Sequence, residues 1–252
     1  MYLIITCRDD IIKSTNEKGD RNMSILYREE KDSIGSMQVP ADAYYGVQAL
    51  RAKENFKITG KCVHIEMVKA IAEIKIAAAM TNAEVGVFSK EIADAIVKAG
   101  EEVLTGKFDD QFIVDSIQGG AGTSFNMNAN EVLANRAIEI LGGTKGDYSI
   151  VHPNDHVNCG QSTNDAYPSA GKLAVIRLLE KAIVTLKRLE SALEDCAKKF
   201  KPVVKMGRTE MQDAVPMSLG QSFGAFAKAV GRDVKRFEKA IECMSTLNMG
   251  AT

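Results

Sequence analysis

Three segments of the chain concentrate small, hydroxyl and amide side chains in a pattern suited to holding a small anion. The segment from Gln118 to Glu131 contains Gly119, Gly120 and Gly122, then Thr123, Ser124 and the asparagines Asn126, Asn128 and Asn130. Its glycines let backbone N–H groups approach a ligand closely, and its hydroxyls and amides add neutral donors. A glycine-rich turn with an asparagine cap before a helix is the alternative. The segment from His152 to Pro168 carries Ser162-Thr163-Asn164-Asp165 where a long helical pattern begins. Free backbone N–H groups at such a start favour an anion, and a cap needs one of these residues rather than four. The segment from Lys205 to Pro216 carries Gly207-Arg208-Thr209-Glu210. Arg208 offers a planar fork for a carboxylate and Thr209 a hydroxyl. A salt bridge from Arg208 to Asp213 within the segment is the structural alternative. His152 and His156, beside Asp155, have the chemistry of a general base or of satisfied loop residues. Cys159 has no dedicated base partner, which speaks against a nucleophile.

The elements that must position these segments are mainly helical. Ile65, Val68, Ala72, Ile76 and Ala79 step by three and four residues, predicting an amphipathic helix. Ser89 is placed to cap the next helix, with Ile92, Ile96 and Val103 facing inward and Gly106 as the stop. A further helix is predicted from about Asn130 to Leu141, ended by Gly142-Gly143. Two longer patterns follow, Ser169 to Phe200 and Leu219 to Leu247. Uninterrupted stripes of that length predict bundle packing. Residues 25–60 are mixed and turn-rich, and strand signals are weak. The predicted class is mainly α: residues 1–22 as a disordered extension, 23–160 as a mostly helical domain, and 161–252 as the first long helices of a bundle.

Composition excludes several function classes. The 252 residues are 45% hydrophobic and 26% charged with a formal net charge of −1, enough for a core and without a basic field for nucleic acid. The five cysteines are odd in number and form no C-x-x-C pair, which predicts a reducing, cytoplasmic setting. Three histidines without a metal-binding spacing predict no zinc site. The apolar start Met1 to Thr6 is too short for a signal-peptide core, and no segment is long and apolar enough to span a bilayer.

Taken in order, the three polar segments resemble the aspartase/fumarase superfamily, from about Tyr27 to Thr252. The motifs are Gly122-Thr123-Ser124-Phe125-Asn126-Met127-Asn128, the run from His152-Pro153-Asn154-Asp155 to Ser162-Thr163-Asn164-Asp165, and Gly207-Arg208-Thr209 followed by Gln212-Asp213-Ala214. Within the superfamily, Val39-Pro40-Ala41-Asp42-Ala43-Tyr44-Tyr45-Gly46 and the Thr at 163 resemble the aspartate ammonia-lyases more than the fumarases. The resemblance implies a cofactor-free, reversible elimination of ammonia from L-aspartate to give fumarate. It places Thr123, Ser162, Thr163, Asn164 and Thr209 on the substrate. Glu210 stands where many relatives have His or Gln, and it is carried as a candidate contact to the ammonium group. His152, Asn154 and Asp155 match a peripheral dicarboxylate site of fumarases. The family's base is a serine in a Gly-Ser-Ser-x-Met-Pro signature, and these 252 residues contain none. The resemblance therefore implies an incomplete site, a chain inactive by itself, and a homotetramer in which several chains build each site. A fumarate hydratase and a non-catalytic helical assembly module are the competing readings.

Overall fold

The computed structural model describes residues 26–250. The extension expected at residues 1–22 lies outside them. Two compact units divide the chain: one runs to Gly171 and takes in the segment from Leu247, and the other is Lys172–Thr246. The sequence sets a boundary at 160/161, ahead of the first long helix. The division falls inside that helix because its first turns bury Ala166, Ser169 and Ala170 in the first unit.

The first unit begins with an antiparallel hairpin, β1 (Tyr27–Lys31) and β2 (Ser36–Pro40). Asp32 accepts the N–H groups of Ile34 and Gly35 to close the turn. Arg51 binds the same carboxyl at 2.9 Å and holds it below its ordinary value. α1 (Val47–Asn55) follows, then α2 (Ile65–Glu84), α3 (Lys90–Leu104) and α4 (Thr123–Ile140). Ser89 caps α3 by accepting from Ile92 N–H, as its spacing predicts. α2 packs on α3 and α3 on α4 around Ile71, Ile96, Phe125, Leu133 and Ile138, all fully buried.

α4 starts at Thr123, well before the predicted Asn130, so most of the first polar segment is helix. Asparagine is a poor helix former. Here tertiary hydrogen bonds compensate. Asn128 accepts from Ile113 N–H and donates to Gln111 O. Asn135 donates to Tyr44 O and accepts from Gly146 N–H. Between them Glu131 accepts the N–H groups of Gly46, Gln48 and Ala49. These three residues, spaced by three and four, form a buried polar ridge that holds irregular backbone in place.

α1 has no side-chain cap of its own. Glu131 and Glu30 serve instead, with Glu30 accepting from Val47 N–H at 2.9 Å. Arg28 pairs with Glu30 at 2.7 Å and donates to the carbonyls of Pro40, Ala41, Ala43 and Tyr45. The turn-rich entry segment is thus folded around one guanidinium.

α5 (Thr163–Lys199) carries the chain into the second unit. There the rest of α5, the hairpin β3 (Val204–Thr209) and β4 (Gln212–Ser218), and α6 (Leu219–Met244) pack with few buried residues. Ser218 and Gln221 form a reciprocal capping box for α6. The hairpin replaces the predicted third loop. Strand pairing suits Val204, Val215 and Met217, whose signal is short and broken by Pro216. Among the described residues no helix is long and apolar enough to cross a membrane.

Candidate functional site

Two of the three polar segments meet in the first unit. α4 begins after a kinked turn, Gly120–Gly122, in which Ala121 has φ 52° and Gly122 φ 94°. Thr123, the first residue of α4, is exposed, and its hydroxyl donates to Gly120 O. The turn is anchored from behind. Gln118 accepts from Phe125 N–H and donates to Asp115 O. Burial pushes the Asp115 carboxyl up, but hydrogen bonds from Ile117, Thr59 and Gly60 outweigh it and bring it down to about 2.

α5 begins against this turn. The Tyr167 ring lies directly on Gly122, so that a side chain there would overlap it. Ser162 Oγ accepts from Asn164 N–H at 3.1 Å, and Asp165 accepts from Ser162 N–H at 2.9 Å. Ser162 and Asp165 are therefore committed to the cap. Thr163 and Asn164 are not: Asn164 is exposed, and Thr163 accepts a hydrogen bond from Asn126 Nδ2 at 3.3 Å. Asn164, Tyr167, Gly122 and the residues Ser116, Ile117 and Gln118 help to line an open cleft of about 620 Å³. The Asn126–Thr163 hydrogen bond joins the two helix starts, and of Thr123, Ser162, Thr163 and Asn164 it is Asn164 that lines the cleft.

Behind the cleft lies a buried amine, on a residue type that usually faces solvent. Lys75 of α2 is fully buried, and its Nζ donates to Asn158 Oδ1 at 2.8 Å and Gln161 Oε1 at 3.0 Å. Asn158 Oδ1 also accepts from Asn126 Nδ2 at 3.0 Å. With no carboxylate partner, burial pulls the Lys75 amine down to about 7. A signal was present. Lys75 is three residues after Ala72 and four before Ala79, on the apolar stripe itself.

The histidines are structural. His152 Nδ1 accepts from Asn154 and Asp155 N–H, capping the short turn Pro153–Val157. His156 Nδ1 accepts from His152 N–H, and burial holds the imidazole below its ordinary value. Among the described residues no group of three His, Cys, Asp or Glu is placed to hold a metal.

Thr209 and Glu210 belong to the second unit, at the end of the β3–β4 hairpin. A register shift between Met206 and Arg208, spanning Gly207, turns the strand end. Arg208 pairs with Asp213 across the strands at 3.0 Å, exposed, so the structural alternative for Arg208 is realised. Such a pair contributes ~0–1 kcal/mol. The two-residue tip, Glu210 and Met211, has φ 49° and 60° without a glycine or asparagine. Both are exposed. Left-handed backbone costs an ordinary residue roughly 1–2 kcal/mol. Met211→Gly is expected to raise the thermal midpoint by about 2–4 °C, roughly the value of 1 kcal/mol in a chain of this size. A midpoint that stays or falls in a melt followed by circular dichroism would show that the tip is not strained.

Residues 35–252 match the model of a protein family described as lyase. The chain is 53% identical over 230 residues to an aspartate ammonia-lyase of a Bacillus species, covering 91% of this chain and 49% of the relative. It is 48% identical over 233 residues to the aspartate ammonia-lyase of Escherichia coli K12, covering 91% and 49%. Among solved structures, a fumarate lyase:delta crystallin from Brucella melitensis superposes with a TM-score of 0.84 at 46% identity, covering 89% of this chain and 53% of that one. A class II fumarase from Schistosoma mansoni superposes with a TM-score of 0.81 at 39% identity, covering 90% and 48%. The chain spans about half the length of the curated relatives it matches.

Proposed function

The chain belongs to the lyase family, and on that premise we propose that its residues form the carboxylate-receiving part of an aspartate ammonia-lyase, which eliminates ammonia from L-aspartate to give fumarate. The observation that carries this reading is the start of α5. Ser162 and Asp165 satisfy the cap, while Asn164, next to Thr163, remains available on a cleft that also borders the turn before α4. Elimination passes through a carbanion whose charge moves onto the neighbouring carboxylate. Preplaced neutral donors stabilise that added charge without ionising themselves. Hydroxyls, amides and helix N-termini are such donors.

In this reading Thr123, Ser162, Thr163 and Asn164 bind the substrate's polar groups, Ser162 through its placement of the turn. Thr209 joins them from another chain of a homotetramer, with Glu210 beside it. Exposed Val184, Leu189 and Phe226 on the long helices support association between copies. None of the 252 residues is assigned as the base, and no metal or cofactor is required. A cytoplasmic location belongs to the same reading. The ammonia-lyase is favoured over the hydratase because relatives named aspartate ammonia-lyase share 48–53% identity, against 39% for the class II fumarase.

The test follows fumarate by its ultraviolet absorbance after L-aspartate or L-malate is added to the complete protein that carries this chain. Turnover of aspartate and not malate is expected. Turnover of malate alone would sink the ammonia-lyase reading in favour of the hydratase. The 252 residues by themselves are expected to turn over neither; activity from them alone would mean that the base is among them.

A further inference from the structure

Lys75, Asn158, Asn126 and Thr163 form an unbroken hydrogen-bonded line from the core of the first unit to the start of α5. The direction of each bond follows from the first. As the ammonium, Lys75 Nζ has three N–H groups and no acceptor, and it faces Asn158 and Gln161. Asn158 must therefore turn Oδ1 toward Lys75. Its Nδ2 then donates to Gln161 O at 2.9 Å, which a rotated amide could not do. With Asn158 Oδ1 fixed, Asn126 must present its NH2, since an oxygen there would face another oxygen. The same NH2 reaches Thr163 Oγ1, while the buried Asn126 Oδ1 has no hydrogen-bond partner. Asn126 is thus held with both donor contacts made and its acceptor unused. Thr163 Oγ1 already receives a hydrogen bond, and its own proton has no acceptor among the described residues. That proton is left for a ligand beside Asn164, the next residue, which lines the cleft.

We propose that Lys75 is a positioning residue that sets the polarity of this relay, so that Thr163 meets its ligand as a hydrogen-bond donor and selects an anionic carboxylate oxygen there. The proposal rests on the dicarboxylate reading of the cleft. It adds that the selectivity of Thr163 is fixed by a buried lysine two side chains away. The neutral amides carry no charge to the ligand; they carry only direction.

Isothermal titration calorimetry with fumarate separates the relay from the reading beneath it. The proteins are the wild-type chain, Thr163→Val, Lys75→Met and the double variant, each checked for fold by circular dichroism. Thr163→Val and Lys75→Met are each expected to weaken fumarate binding about tenfold or more, the scale of one hydrogen bond to a charged group. The double variant is expected to bind no more weakly than Thr163→Val alone, because Lys75 acts through Thr163. A merely structural lysine would instead lower stability and add its loss to that of Thr163→Val. Fumarate binding by Lys75→Met equal to wild type, or additive losses, would overturn the relay while leaving the dicarboxylate reading intact. No binding by the wild-type chain, or Thr163→Val binding as wild type, would overturn the reading itself. Should Lys75→Met fail to fold, wild-type protein labelled with ¹⁵N-asparagine decides. The Asn126 side-chain amide protons should be protected from solvent exchange and show Overhauser contacts to Thr163. Free exchange, or no such contact, would overturn the relay.

Discussion

Gly122→Ala is expected to destabilise the first unit by more than ~3 kcal/mol, combining left-handed backbone with overpacking. Gly122 has φ 94°, a conformation that costs a residue with a Cβ. The new methyl would also overlap the Tyr167 ring, which packs edge-on against buried Phe125. In a chain of this size the thermal midpoint should fall by about 10 °C. Because Gly122 immediately precedes Thr123 and Tyr167 lies in the first turns of α5, fumarate affinity should fall in the surviving folded fraction. Tyr167→Ala supplies the control. It removes the overlap but not the backbone strain, so the double variant should lose less than the two single losses combined. Strict additivity would mean that the contact between the helix starts contributes nothing.

Glu131→Ala should be nearly as damaging, at about 3–5 kcal/mol. The carboxylate is 1% exposed and accepts three backbone N–H groups at the start of α1, leaving them unpaired when it is removed. Glu131→Gln keeps one acceptor oxygen and should cost less, about 1–3 kcal/mol. The pH dependence distinguishes Glu131 from an ordinary cap. Burial first, and the neighbouring Glu30, raise its carboxyl to about 7, against the pull of the backbone donors. A carboxyl raised in the folded state binds protons more readily there than in the unfolded chain. Its contribution is therefore full below about 4.5 and lost as the pH rises through about 7. Urea denaturation should show wild-type stability declining over that window relative to Glu131→Gln. Parallel profiles would mean that Glu131 is ionised throughout.

What the sequence makes legible here depends on whether a residue acts locally. The helical class, the Ser89 cap and the two long helices are local properties, and they appear as the spacing predicts. The α5 cap is local too, so the sequence could weigh Ser162 and Asp165 against a ligand role, though not assign which residues of the four are free. The hairpin β3–β4 is hidden because its tip, Glu210-Met211, lacks the glycine or asparagine that marks a two-residue turn. The early start of α4 is hidden because its asparagines look like loop residues until their partners, tens of residues away, are known. Lys75 and Glu131 are hidden for the same reason: a charged residue in a helix reads as solvent-facing unless the stripe it occupies is followed with care. The polar segment around Thr123 carries no local mark that separates turn from helix. It divides into a turn at the cleft and a ridge facing the core.

That ridge also bears on the order in which the chain folds. The bonds made by Glu131 and Asn135 span 85 residues to Gly46 and 91 to Tyr44, while Asn135 also needs Gly146, downstream of α4. Before both flanking segments arrive, burying α4 would strand its carboxylate and amides in an apolar interior. α4 is therefore a keystone that is set late: α2 and α3, adjacent in the chain and bound by apolar contact, can associate first. The two helix starts around the cleft come into register only when the keystone is seated.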